Sequence, residues 1–470
     1  MSGKDANTYH LEEAEQRPSP AVNAQHWRES EERALVRRID WHVLPVLCVV
    51  FALSLLDRTN ISSAYIAGMA QDLELTVGAR YNIALLLFFV PYALFELPSN
   101  LVIRRVGARI WLSCLIIAWG VCVLAMGFVR HWVPLAILRI LLGGFEAGLF
   151  PGAVFIISAW YKTYETARRV SIFYMASLFA SGFGGILAYA LSLIRVGNGI
   201  YQQGWRWIFI IEGAVTIAAG FVAIFTLGQS DYINAHSKVP EKASWLSGRE
   251  KEIALTRIAN QHGGREYEHI SFKQSLLYLM DWKLGFYALQ YFICASSVYS
   301  LAFFMPIILR EGMGFSYALA QVLTSPPYLV AVVLSLLMAW ISDKFRVRWI
   351  VLCIQSMTAI VGLLITSYAV PPGVRYFAYG QNQTAQPVRK GVVSAAMIAV
   401  GAAGGVTGST IFRAQDAPMY LPGMWSTIAM QMLYTVGTFG MSMYLRRQNR
   451  LADEGRVSAL EGVEGFRYAP

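Results

Sequence analysis

The chain has 470 residues, of which 56% are hydrophobic and only 14% charged, and its formal net charge is +10. A soluble domain needs a charged surface that this composition does not supply, so the useful unit of length is the apolar helix of about 20 residues that crosses a bilayer. The basic residues are spread between apolar runs, which argues against a nucleic-acid partner and for sidedness in a membrane.

Residues 1–40 are polar, with eight acidic and six basic side chains. They read as a disordered cytoplasmic tail without a cleavable leader. Apolar runs follow at Leu44–Gly68, Ile83–Val102, Trp111–Phe128, Trp132–Trp160, Ser171–Leu193 and Trp207–Leu227. They resume at Leu284–Leu309, Ala318–Ile341, Trp349–Val370, Val392–Phe412 and Met424–Tyr444. Each is long enough to span as a helix, and the alternation that a barrel needs is absent. The chain is therefore expected to be an all-α integral membrane protein of 11 spans. It divides into a tail (1–40), a six-helix bundle (41–228), a cytoplasmic linker loop (229–283), a five-span bundle (284–447) and a second cytoplasmic tail (448–470).

Sidedness follows from the basic residues. Arg104, Arg105 and Arg109 follow the second run, Lys162, Arg168 and Arg169 the fourth, and Lys344, Arg346 and Arg348 the eighth. The intervening connections are poorer in basic residues. This places the long loop and the N-terminal tail in the cytoplasm. Within that loop, "WLSGREKEIALTRIANQ" reads as a short amphipathic surface helix. "PPGVRYFAYGQNQTAQPVRK", Pro371–Lys390, is too polar to cross. It leaves the count one span short of the even number that sidedness requires. Both termini are cytoplasmic only in a twelve-helix form.

Charges inside the runs carry the functional reading. Arg139 and Glu146 lie seven residues apart, on one face of a helix and about 10 Å along its axis. Each costs at least ~2.5 kcal/mol at the bilayer centre. Two explanations stand: Arg139 binds an anion and Glu146 carries a proton, or the two belong to a structural ion-pair network. Gly144, Gly148 and Gly152 form a small-residue ridge that favours close packing. In "LLDRTNISSA", the adjacent Asp57 and Arg58 point about 100° apart, so one faces the cavity and the other a neighbouring helix. Asn60 lies one turn from Asp57. Glu96 and Asn100, with Arg104, Arg105, Asp343 and Lys344 near the cytoplasmic ends, are assigned to gating. In the second half Tyr291 and Ser296, with Ser297, Tyr299 and Ser300, are candidates to complete a substrate site. "GAAGGVTGS", Gly401–Ser409, reads as small-residue packing. The five cysteines have no metal-ligand spacing, and no cofactor is called for.

"DRTNISSA", "RILLGGFEAGLFPG", "WRWIFIIEG" and "DAPMY" together carry a resemblance to the major facilitator superfamily. Within it the chain resembles the anion:cation symporter family, and most of all its fungal allantoate and nicotinate permease branch. The resemblance covers Arg37–Arg447. It implies two helical bundles, alternating access, and proton-driven uptake of a small carboxylate by a plasma-membrane monomer. It assigns substrate contact to Arg139 and proton coupling to Glu146, and it transfers the span-one pair to Asp57 and Arg58. The chain departs from the family where a tenth helix is expected, at Phe377–Ala378–Tyr379. The alternatives are an exporter of secondary metabolites, an integral-membrane enzyme, and an inactive or sensor-type paralogue. Exporters of the superfamily carry a Gly-Pro motif in span five, which "ASGFGGILAYA" lacks. The seven histidines are scattered, which speaks against an enzyme.

Overall fold

The computed structural model describes residues 27–196, 199–227, 245–261, 282–345, 348–368, 391–417, 419–454 and 456. The described chain is helical. In the first half the long helices are α1 (Glu29–Ala64), α2 (Arg80–Val106), α3 (Ala108–Met126), α4 (Trp132–Glu146, resuming as Leu149–Trp160), α5 (Thr163–Ser192) and α6 (Gly204–Thr226). A connecting helix, α7 (Gly248–Gln261), follows. The second half has α8 (Trp282–Ile307), α9 (Tyr317–Val322, then Ser325–Phe345), α10 (Arg348–Tyr368), α11 (Gly391–Ile411) and α12 (Leu421–Asp453). Leaving α7 aside, these are the 11 membrane-length helices that the apolar runs lead one to expect. Eight of the described helical stretches are long and apolar enough on their own to cross a bilayer. The chain is a multi-pass integral membrane protein.

One boundary moves. α1 starts at Glu29, inside the segment read as a disordered tail. Its charged first turns are held by partners that only folding brings near: Glu32 meets Lys162 at 2.6 Å and Arg257 at 2.8 Å, and Asp40 meets Arg169 at 2.7 Å. The linker helix α7 forms as expected, but its apolar face covers protein. Ile253 and Ala254 are buried, and Trp245 stacks on His42 and packs against Trp160. Arg257 is 2% exposed and also pairs with Glu165. At its far end α1 passes into a π-helical turn, Tyr65–Met69, where Gly68 adopts a φ of +118° that a side chain would resist.

The two halves pack by related rules. α1 lies on α5 and α6, and α3 on α6; correspondingly α8 lies on α11 and α12, and α10 on α12. α2 packs on α4, which has no counterpart in the second half among the described residues. The stretch Pro371–Lys390, where a tenth helix is expected, falls outside those residues. Across the seam, α2 meets α11 and α5 meets α9.

Hydrogen bonds between the halves gather towards the face opposite α7. The Tyr81 hydroxyl donates to the Phe303 carbonyl at 3.2 Å, and Asn82 donates to the carbonyls of Ser409 and Phe412 at 2.6 and 2.8 Å. Gln321 donates to the Ser63 carbonyl at 3.1 Å, Tyr317 to Ser192 at 2.6 Å, and Arg310 to the Ile66 carbonyl.

Candidate functional site

A close helix crossing sets the site. At Gly143 a Cβ would come within 2.0 Å of the Phe88 carbonyl oxygen, so only glycine lets α4 lie this near α2. Of the ridge glycines, Gly148 and Gly152 face Ser99 and Leu112 at similarly short range, while Gly144 only touches the Phe95 ring. The ridge is therefore packing. Its consequence is that Arg139 and Glu146, each about one turn from Gly143, are buried against α1 and α2 with 0% and 1% exposure.

Arg58 crosses from α1 to pair with Glu146, and Ser54 donates to the same carboxylate oxygen at 2.5 Å. The other arm of the guanidinium donates to the Tyr299 hydroxyl of α8 at 2.5 Å. The rings of Phe88, Tyr92 and Tyr299 stand 4.9, 5.0 and 5.7 Å from it. These aromatic faces stabilise a desolvated cation. The Arg139 guanidinium also lies over the Phe88 ring, 5.2 Å from its centre. Its Nε and Nη2 donate over 3.4 and 3.5 Å to the carbonyls of Ala84 and Arg58, and its Nη1 has no partner. The second oxygen of Glu146 is likewise without one. Two cations and one anion thus sit around one aromatic ring, with an unused donor on Arg139. A surplus positive charge with a free donor can accept an anion.

Asp57 points the other way, as the 100° step requires. Trp119 of α3 donates to it at 3.2 Å and Thr216 of α6 at 2.8 Å. Beside it Asn60 donates to Glu212 of α6 at 2.6 Å. Glu212 is 4% exposed. It was missed as a site candidate, although a lone carboxylate within an apolar run is the same signal that picked out Glu146.

The remaining candidates separate. Ser296 donates to the Phe292 carbonyl of its own turn and lies under the Gly404–Gly408 face of α11. Tyr291 rests against Gly401. Neither meets Arg58; Tyr299, two turns beyond Tyr291, does. Glu96 is fully buried, and neither of its carboxylate oxygens has a partner. Asn100 is half-buried near the α7 face. Lys344 is exposed and lies over the Trp340 ring at 4.6 Å. The side chains of Arg104, Arg105 and Asp343 lie outside the described residues.

A multi-pass protein of two helical halves, with buried charges on the seam between them, has the architecture of a secondary transporter. The chain belongs to the Major Facilitator Superfamily, whose family model matches residues 47–443. It is 30% identical over 93% of its length to the MFS transporter prlL of a fungal species, covering 91% of that protein. It is 29% identical over 90% of its length to the major facilitator-type transporter hxnP of Emericella nidulans, covering 88% of it. Among solved structures, a D-xylose–proton symporter matches with a TM-score of 0.56 at 15% identity, over 84% of this chain and 97% of that one. A bacterial homologue of the human peptide transporters PepT1 and PepT2 matches with a TM-score of 0.58 at 14% identity, over 88% and 99%. The chain is a membrane transporter, not an enzyme.

Proposed function

We propose that the protein takes up a small organic monoanion together with protons, and that Arg58, Arg139 and Glu146 do the coupling. The observation that carries this reading is the Arg58–Glu146 pair beside the unpartnered Nη1 of Arg139. A proton on Glu146 removes its charge and frees Arg58. The two guanidiniums can then hold one carboxylate in bidentate fashion. When the proton leaves, Glu146 reclaims Arg58 and displaces the anion. The substrate carboxylate and the Glu146 carboxylate therefore exchange places on one guanidinium. By the positive-inside rule the α7 face is cytoplasmic, so the hydrogen bonds between the halves close the outer side. A plasma-membrane symporter of the anion:cation type, for nicotinate, allantoate or a vitamin-like acid, fits this chemistry.

The test is uptake of radiolabelled small carboxylates into permease-deficient cells at acidic and mildly alkaline pH. A variant with a helix inserted after Ala378 is assayed beside it. Acid-stimulated uptake, lost in Arg139→Lys, is the expected result. Uptake indifferent to pH, or wild-type affinity in Arg139→Lys, would remove the mechanism. Efflux of a preloaded compound without uptake would favour the exporter alternative.

A further inference from the structure

A second polar space lies off the Arg58–Glu146 site. It is a cavity of about 30 Å³ between α1, α5, α6, α8 and α9, and Asn60, Glu212 and the hydroxyls of Thr59, Ser62, Ser181 and Thr324 line it. Neither Arg58 nor Glu146 reaches it, and among the described residues no lysine, arginine or histidine lines it.

The hydroxyls of Ser63 and Tyr328 also line the space, and the other polar groups offer it acceptors. Thr59 donates its hydroxyl hydrogen to the Leu55 carbonyl at 2.9 Å, and Ser62 to Thr59 at 2.7 Å. Ser181 donates to the Ser177 carbonyl at 2.9 Å, and Thr324 to Gln321 at 2.6 Å. Each of these four hydroxyls has thus committed its donor to its own helix and keeps only lone pairs. Asn60 gives an amide hydrogen to Glu212, while its Oδ1, on a residue 5% exposed, has no partner. A carboxylate, an amide oxygen and four hydroxyl oxygens, with no cation near, form a wall of acceptors. Such a wall is unsatisfied by an anion and satisfied by a small hard cation. The single carboxylate sets the charge at one. The volume admits roughly two water-sized bodies, which suits a partly hydrated ion and excludes an organic molecule.

We propose that this cavity binds one alkali-metal cation, with Glu212 and Asn60 as its principal ligands. α1, α5 and α6 belong to one half and α8 and α9 to the other, so the ion bridges the seam on the side already closed by Ser63–Gln321. This site does not rest on the carboxylate-coupling reading, and either can fail alone.

The experiment is thermal unfolding of the purified full chain in sodium, potassium, lithium or choline chloride, at one pH and one ionic strength. At least one alkali salt is expected to raise the melting temperature saturably by about 2 °C or more over choline. Glu212→Gln should abolish that difference, and Thr324→Val should weaken the apparent affinity several-fold. If Glu212→Gln does not fold, Thr324→Val provides the same readout. The proposal is overturned if no alkali salt differs from choline, or if Glu212→Gln or a folded Thr324→Val keeps the full response.

Discussion

Arg58 and Glu146 form an ion pair that joins α1 to α4 in the buried middle of the first half, with side chains 5% and 1% exposed. Removing one partner of such a pair leaves an uncompensated buried charge, at a cost of about 3–5 kcal/mol. Replacing both by apolar residues of similar volume is far cheaper. Arg58→Met alone should therefore lower the melting temperature sharply, and Glu146→Leu alone should do the same. The double variant should recover most of the loss while remaining inactive. Thermal unfolding of the three proteins closes the cycle, and additive losses would show that the pair is uncoupled.

Glu146→Gln keeps shape and hydrogen bonding but cannot give up a proton. Net uptake should lose its dependence on pH, while exchange of internal for external substrate persists. The two are measured in the same vesicles, with and without preloaded substrate. Loss of both would assign Glu146 a structural role instead.

Gly143→Ala drives a methyl group into the backbone of Phe88. Because a carbonyl oxygen cannot rotate away as a side chain can, the cost is about 1–3 kcal/mol, and α4 moves off α2. Gly144→Ala, one residue along, meets only ring atoms at 3.6 Å and should be close to neutral. Expression, melting temperature and uptake of the two variants test the contrast.

The docking of α7 should depend on pH. The backbone N–H of Ser247 bonds to the Glu250 carboxylate at 2.8 Å and, with Arg38 at 3.0 Å, holds its pKa below the usual value. A depressed folded pKa contributes stability above the unfolded pKa, and this is lost as the pH falls through the folded one. Both partners are partly exposed, so the effect is small. Amide hydrogen exchange of Gly248–Gln261 should quicken below the ordinary carboxylate range in the wild type. Glu250→Gln should exchange at that faster rate at neutral pH. A pH-independent difference between the two would rule out this titration.

Much of this was readable in the residues. The apolar runs marked all 11 long helices, because crossing lipid demands an unbroken apolar length that loops cannot imitate. Arg139 and Glu146 stood out because charge inside such a run has a cost. The 100° step between Asp57 and Arg58 separates them, Asp57 towards Trp119 and Thr216 and Arg58 towards Glu146 and Tyr299. Tyr299 could not be told from Tyr291 and Ser296, since α8 is apolar all round and hydropathy does not say which face meets α2. The docking of α7 was hidden as well. An amphipathic helix looks the same whether it covers lipid or protein, and only the distant Glu32, Glu165 and Trp160 decide the matter.

Among the described residues the buried charges at the seam come from the first half, and the second half reaches them through the hydroxyl of Tyr299. If Arg58 and Arg139 hold the substrate as proposed, recognition of charge and recognition of shape are housed on different parts of the chain. Variation on α8 and α11 can alter which molecule fits without disturbing Arg58, Arg139 or Glu146. Relatives with the same charged core can diverge in what they carry by changing only the opposite wall.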